Sequence, residues 1–354
     1  MKGMILSAGS ATGLYPLTYT LPAALVPILN RPAIDLQLDW LAQAGVEEVV
    51  VNLHYLHRAV SGALASRVEA SQGKIHLTVE AELSGTAGGV ALAQDHFTDT
   101  FCVIGVDCAT DLDLRPVLEF HRSRRAMATI VAIPSRGGAR FGHMQVDENG
   151  RVLRFVEKPT AKDDRLAWTN AGIYIFEPEI FDHIPDVRPF DFGQHLFPDI
   201  VGPRCGIFAY RADGVYWQDF GEPLAYRQVH RDLLTGVCHV AGETPLGENG
   251  LTIGEGSQIS PEAEIVAPVV LGRNVVVRSG AKLEGPLVVG DDVVIGENAV
   301  LSDSVLWPRT MVEPEARVKA SLVGSSCHLY ADRVYDGVLL ASGARFEKKA
   351  ISSD

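Results

Sequence analysis

The sequence predicts an α/β domain with a Rossmann-like, mainly parallel sheet over residues 1–235 and a parallel β-helix built from hexapeptides over 251–354. Three observations predict this. Short apolar runs alternate with helix-like segments through the first two thirds of the chain, as in βαβ units whose sheet is covered on both faces. Aliphatic residues then recur at a strict spacing of six, the mark of a coil that stacks one side chain above the next. Between the two textures, "GVCHVAGETPLGENG" (236–250) is rich in Gly and turn residues and reads as a linker.

The elements follow in order. "GMILS" (3–7) is a first strand, "AIDLQLDWLAQAG" (33–45) a helix, "VEEVVVNL" (46–53) and "IHLTVE" (75–80) strands. "GGVALAQDHF" (88–97) continues as helix, "TFCVIGVD" (100–107) as strand, "LRPVLEFHRSR" (114–124) as helix and "ATIVAIP" (128–134) as strand. "GHMQVDENGRVLRFVEKP" (142–159) is a hairpin turning at Glu148-Asn149-Gly150. The ladder runs Ile253, Ile259, Ile265, Leu271, Val277, Leu283, Val289, Ile295, Leu301, and the spacing breaks near Trp307, so the last coils are expected to be irregular. His54 and His57 in "NLHYLH" read as strand-end or loop residues.

Bulk properties exclude several classes. The chain has 354 residues, is 47% hydrophobic and 21% charged, and so is packed rather than disordered. Its net charge of −13, with only the pairs Arg124-Arg125 and Lys348-Lys349 as basic runs, argues against nucleic acid or an anionic membrane as partner. Cys102, Cys108, Cys205, Cys238 and Cys327 show no C-x-x-C spacing, which points to free thiols rather than disulfides or zinc. Residues 1–9 lack the apolar core of a signal peptide, and no stretch approaches the ~18 apolar residues of a membrane span, so a cytoplasmic location is expected.

Candidate chemistry lies at strand ends, where sheets of this kind hold their ligands. The first strand runs into Ala8-Gly9-Ser10-Ala11-Thr12-Gly13, a small-residue loop whose N–H groups can face phosphates. Asp107 follows the strand "TFCVIGV", and Asp219 in "VYWQDFGEP" follows another apolar run. Two carboxylates at that edge, with phosphate oxygens, are what Mg²⁺ takes.

"LSAGSATGLYPLTYTLPAALVPILNRP", "SGTAGG" (84–89), "VDCATDLDL" (106–114), "FVEKP" (155–159), "NAGIYIF" (170–176), "FDFGQHLFP" (190–198) and "YWQDFGEP" (216–223) occur in one order. By these segments the chain resembles the sugar-1-phosphate nucleotidyltransferases, in particular the mannose-1-phosphate guanylyltransferase branch that ends in a left-handed β-helix. Members join a nucleoside triphosphate to a sugar 1-phosphate and release pyrophosphate, with Mg²⁺. The resemblance implies that Leu6, Ala8, Gly9 and Thr12 wrap the triphosphate and that Gly85, Thr86 and Gly88 lie near base and ribose. It implies further that Asp107 and Asp219 hold Mg²⁺, Glu157 binds sugar hydroxyls, Lys158 binds the sugar phosphate, and Gly142 and Asn170 line the sugar pocket.

Two departures stand out. The family loop reads G-x-G-T-R-L, with an Arg on the departing pyrophosphate; here it reads Gly9-Ser10-Ala11-Thr12-Gly13-Leu14. The family's P-K-P-L, with a Lys on the α-phosphate, is Pro22-Ala23-Ala24-Leu25. Both cations are gone, and residues 4–30 contain no Lys or Arg. Losing one such donor costs about 10²–10³ in rate, and an arginine can be worth about 10³–10⁵, so a fall of about four orders of magnitude is expected. Arg31 and Lys2 are not spaced to refill the positions.

The sequence thus points to a catalytically impaired member that binds nucleotide sugar or sugar phosphate, as a homo-oligomer or as a subunit beside an active relative. Two alternatives stay open: a working enzyme with a rearranged loop, and an acyltransferase using His328, the one His within 251–354.

Overall fold

In the computed structural model, residues 1–135, 140–160, 163–202, 206–244, 246–247 and 249–345 are described; Cys205, Lys348 and Lys349 lie outside them. The chain divides into two compact units, one of Met1–Ser10, Pro22–Ala24 and Ile34–Gln218, the other of Ala11–Leu21, Leu25–Ala33 and Asp219–Asp354.

In the first unit, the strand Lys2–Leu6 runs parallel to Glu48–Leu53 on one side and Phe101–Gly105 on the other, with Ile75–Val79 parallel beyond Glu48–Leu53. These inner strands are apolar on both faces: Met4, Ile5, Val50, Val51, Val103 and Ile104 are all at most 1% exposed. Trp168–Phe176 joins antiparallel to Phe101–Gly105 and pairs Ala128–Pro134, which carries Ile207–Arg211 in parallel. The core beneath gathers Phe101, Tyr174, Phe176, Phe192 and Phe197.

The hairpin expected at 142–159 is present, with Gly142–Val146 antiparallel to Val152–Glu157. Its turn is fastened one residue earlier than the sequence suggests, because Asp147 Oδ1 accepts the N–H groups of Asn149 (2.9 Å) and Arg151 (2.8 Å). Gly150 takes the left-handed conformation there, at φ 86°. His57 is not a loop residue: it opens the helix His57–Ala70.

In the second unit, strands stack in parallel into three sheets, and the fold is a left-handed parallel β-helix. The late coils are regular, which corrects the sequence expectation. Leu251 pairs with Val269 and Val269 with Leu287, an 18-residue coil; Val288 pairs with Val305 and Val305 with Leu322, a 17-residue coil. One residue is lost at a single corner per coil, where Asp303 and Ala320 adopt positive φ (45° and 49°). The inward ladder therefore steps from Leu301 to Leu306, Val312, Val318, Val323 and Leu329, each at most 1% exposed.

Trp307 is turned the other way, its Nε1–H donating to the Tyr226 hydroxyl at 3.0 Å from the helix Pro223–Leu234. Tyr226 donates in turn to the Pro27 carbonyl, and Asn30 Nδ2 donates to the Val289 carbonyl at 2.8 Å, so residues 25–33 are fastened to this unit. His328 sits in an ordinary strand, with Nε2 2.6 Å from Glu313 Oε1 and its ring stacked on Tyr330 at 4.5 Å.

Candidate functional site

Leu6 pairs with Asn52 and Gly105, and its carbonyl accepts the Val106 N–H at 3.1 Å, so the first loop leaves the sheet beside the approach to Asp107. Ser7 N–H donates to Asn52 Oδ1 (2.8 Å), Asn52 Nδ2 donates to Glu80 Oε1 (2.6 Å), and Ser84 N–H donates to Glu80 Oε2 (2.9 Å). Glu80 is 5% exposed and thus holds the loop after the first strand in place relative to the loop before Gly85. Nothing in the sequence singled it out. Ala8 is buried and Gly9 exposed, and a Cβ on Gly9 would meet no atom within 4 Å.

The continuation of that loop, with Thr12 and Gly13, belongs to the second unit. Ala11 is left-handed (φ 49°, ψ 43°), a conformation for which glycine is the usual choice, and its carbonyl accepts Leu14 N–H (3.1 Å) and Thr18 Oγ1 (2.8 Å). A Cβ added at Gly13 would overlap the Gly221 carbonyl oxygen. Gly221 N–H in turn donates to Asp219 Oδ1 at 2.8 Å. The loop backbone has thus settled where a side chain at position 13 would begin. Ala23, in the turn Ala23–Leu25, is 7% exposed.

Asp107 belongs to the first unit. Its Oδ1 lies 3.1 Å from where a Cβ on Gly105 would stand, a close approach to the strand's last residue. Burial pushes its carboxyl up from the usual range, while a backbone hydrogen bond and the Arg140 charge pull the other way. Arg140 itself lies over the Phe141 ring (5.2 Å), Phe141 meets the edge of Trp217 (5.3 Å), and Trp217 Nε1–H donates to the Ala171 carbonyl (2.8 Å). A cation near Asp107 was not foreseen from the sequence. Among the described residues no three His, Cys, Asp or Glu side chains gather around a metal position.

Gly142, Glu157 and Lys158 come together at the hairpin's open end. Glu157 is the register partner of Gly142, and Lys158 N–H donates to the Phe141 carbonyl at 3.1 Å. A Cβ on Gly142 would stand 2.7 Å from Glu157 Oε2, and one on Gly193 would overlap the same carboxylate. Burial raises the Glu157 carboxyl above its ordinary range, Lys158 opposes and Asp191 adds to the rise. The Lys158 side chain is exposed. Asn170 is half-buried and engaged locally, donating to Tyr174 Oη (2.9 Å) and accepting Gly172 N–H (2.9 Å).

Gly85, at φ 78°, opens the short helix Thr86–Ala91, and a Cβ there would strike the Phe190 backbone. Gly88 N–H donates to the Phe190 carbonyl (2.8 Å) and Thr86 N–H to Asp191 Oδ1 (2.9 Å). These donors face the segment around residue 190 within the protein.

Comparison with known proteins gives the family. The Nucleotidyl transferase family model matches residues 2–236. The chain belongs to the nucleotidyl transferase family. It is 32% identical over 339 residues to UTP–glucose-1-phosphate uridylyltransferase of Synechocystis, covering 91% of this chain and 87% of that protein. It is 32% identical over 358 residues to mannose-1-phosphate guanylyltransferase 1 of Arabidopsis thaliana, covering 96% of each. In fold, it is similar to HddC from Yersinia pseudotuberculosis, with a TM-score of 0.55 and 23% identity over 64% of this chain and 97% of that one. Among the described residues no helix is long and apolar enough to cross a membrane.

Proposed function

We propose that this chain is a member of nucleotide-sugar synthesis that binds a sugar 1-phosphate or nucleotide sugar and has largely lost transfer. Leu6, Ala8, Gly9 and Thr12 border the triphosphate; Gly85, Thr86 and Gly88 border the base; Gly142, Glu157, Lys158 and Asn170 take the sugar phosphate. Oxygen ligands suit Mg²⁺, and the Asp107 carboxylate would hold it and neutralise charge on the phosphates, with Asp219 the second carboxylate that the family resemblance names. The likeness to enzymes named for guanylyl and uridylyl transfer supports the substrate class.

The observation that carries the reading is the backbone at Gly13. The position that would bear the pyrophosphate-gripping Arg has no volume for a side chain, because the Gly221 carbonyl oxygen stands where its Cβ would go. Charge in this reaction builds on the α-phosphate and the leaving pyrophosphate, and stabilisation there is mainly electrostatic. With Gly13 and Ala23 in place of cations, Glu157 and Lys158 still recognise the sugar side. The β-helix suits assembly, since among the described residues its outermost coils pair along one edge, and an equal or related subunit can cover the other.

A second reading has one observation in its favour: Arg140 sets a positive charge beside Asp107. On that reading the chain is a working guanylyltransferase or related pyrophosphorylase with a relocated cation. Titration calorimetry with sugar 1-phosphates and nucleotide sugars, beside pyrophosphate release with Mg²⁺, separates the two. Binding without release is the expected result. Release at an ordinary rate that Arg140→Ala abolishes would establish the second reading instead.

A further inference from the structure

We propose that Asp191 is a positioning residue that ties the loop at 84–88 to the Glu157 carboxylate through the segment Phe190–His195. This deepens the reading above, on which the two ends face nucleotide and sugar.

One end is a hydrogen-bonded zipper across about a hundred residues of sequence. Asp191 Oδ1 accepts the Thr86 N–H at 2.9 Å and lies 3.3 Å from the Thr86 hydroxyl, which accepts the Phe192 N–H at 2.8 Å. Phe190 N–H donates to the Ser84 carbonyl (2.8 Å) and the Phe190 carbonyl accepts Gly88 N–H (2.8 Å). Asp191 therefore caps a helix in a distant segment, supplying the acceptor that an N-cap side chain would give locally. Its own backbone is fixed from behind: Asp191 N–H donates to His195 Nδ1 at 2.9 Å, and the His195 ring stacks on Phe190 at 5.1 Å. A ring that accepts at Nδ1 is neutral, with its proton on Nε2.

The other end of the segment holds Glu157. The space where Gly193 lacks a Cβ is filled by that carboxylate, whose Oε2 also lies 2.7 Å from where a Cβ on Gly142 would stand. Two charged groups act on it, Lys158 from its own strand end and Asp191 from the segment. Any shift of Asp191 away from Thr86 moves both the cap of one loop and the charge beside the other group.

Two variants separate the roles. Asp191→Asn keeps an acceptor oxygen for Thr86 and removes the charge; Asp191→Ala removes both. Amide exchange at Thr86 and Gly88 is expected to rise about tenfold or more in Asp191→Ala and to stay native in Asp191→Asn. The Glu157 titration midpoint, followed by its ¹³C carboxyl shift in the ligand-free protein, is expected to move down in Asp191→Asn, with the fold intact. A residue serving only as a cap would leave that midpoint in place. Unchanged exchange in Asp191→Ala, or an unchanged midpoint in Asp191→Asn, overturns the proposal. Neither readout uses a ligand, so both decide the role of Asp191 even if the chain binds no nucleotide sugar.

Discussion

Replacing Gly13 by Ala tests the closed loop most simply. The added Cβ would meet a backbone oxygen, that of Gly221, with the Gly221 carbon 3.4 Å away and Glu222 Cγ at 3.6 Å. No flexible side-chain end is available to swing aside, and Gly221 is itself anchored by its N–H on Asp219 Oδ1. The cost is that of overpacking, about 1–3 kcal/mol. It contains no backbone-strain component, because Gly13 does not use the left-handed region. Gly9→Ala is the internal control: four residues earlier in the same loop, its Cβ meets nothing within 4 Å, and the expected change is within about 0.5 kcal/mol. Urea unfolding of the two variants beside the native chain, read by tryptophan fluorescence, gives the comparison. If Gly13→Ala unfolds at the native midpoint, as Gly9→Ala should, the volume at position 13 is open and the argument from Gly221 is wrong.

Ala11→Gly relieves a left-handed alanine and should stabilise the protein by about 1 kcal/mol, measured the same way; a loss of stability would contradict the assigned backbone. Leu306→Ala should cost about 2–5 kcal/mol because Leu306 is fully buried in the shortened coil, whereas Met311→Ala, at 46% exposure, should cost far less. Equal losses would refute the 17-residue register. His230 is 2% exposed and burial lowers its pKa from 6.5 to about 3, so the neutral ring is what the fold accepts. The unfolded chain takes up a proton below 6.5 that the folded chain refuses until about 3, and stability is lost as pH falls through that window. The slope from this one group is at most about 1.4 kcal/mol per pH unit, and His230→Leu should flatten it.

The inner strands and the first coils were legible because their burial imposes one period on the sequence: continuous apolar runs in a sheet covered on both faces, and aliphatic steps of six in the coils. After Leu301 the step of six fails, not because the coil dissolves but because one corner drops a residue. A period of six, six and five keeps Leu306, Val312, Val318 and Val323 inside, and it leaves Trp307 free to meet Tyr226. The helix His57–Ala70 was hidden for another reason: only Val60 and Leu64 are buried along it, too few to write a clear stripe.

At the candidate site, the hairpin that brings Gly142 and Glu157 to one end could be read from its alternating strands, although a register shift between Val152 and Arg154 sets which residues pair there. Asp191, Glu80 and Arg140 could not. Asp191 and Arg140 act on partners tens of residues away, Thr86 and Asp107, and Glu80 joins the nearby Ser84 to Asn52, 28 residues before it; no local spacing announces such contacts. The loss of the loop cations was plain in sequence, while the reason position 13 cannot simply regain one came from a carbonyl more than two hundred residues away.

On the proposed function, transfer is lost while sugar-side recognition persists. Pyrophosphate release by the native chain, with Mg²⁺, saturating GTP or UTP and mannose or glucose 1-phosphate, tests it most directly. Release is expected at least about four orders of magnitude below the ordinary range of roughly 1–10³ s⁻¹. Turnover within that range would contradict it, and would make Gly13 and Ala23 features of a working site.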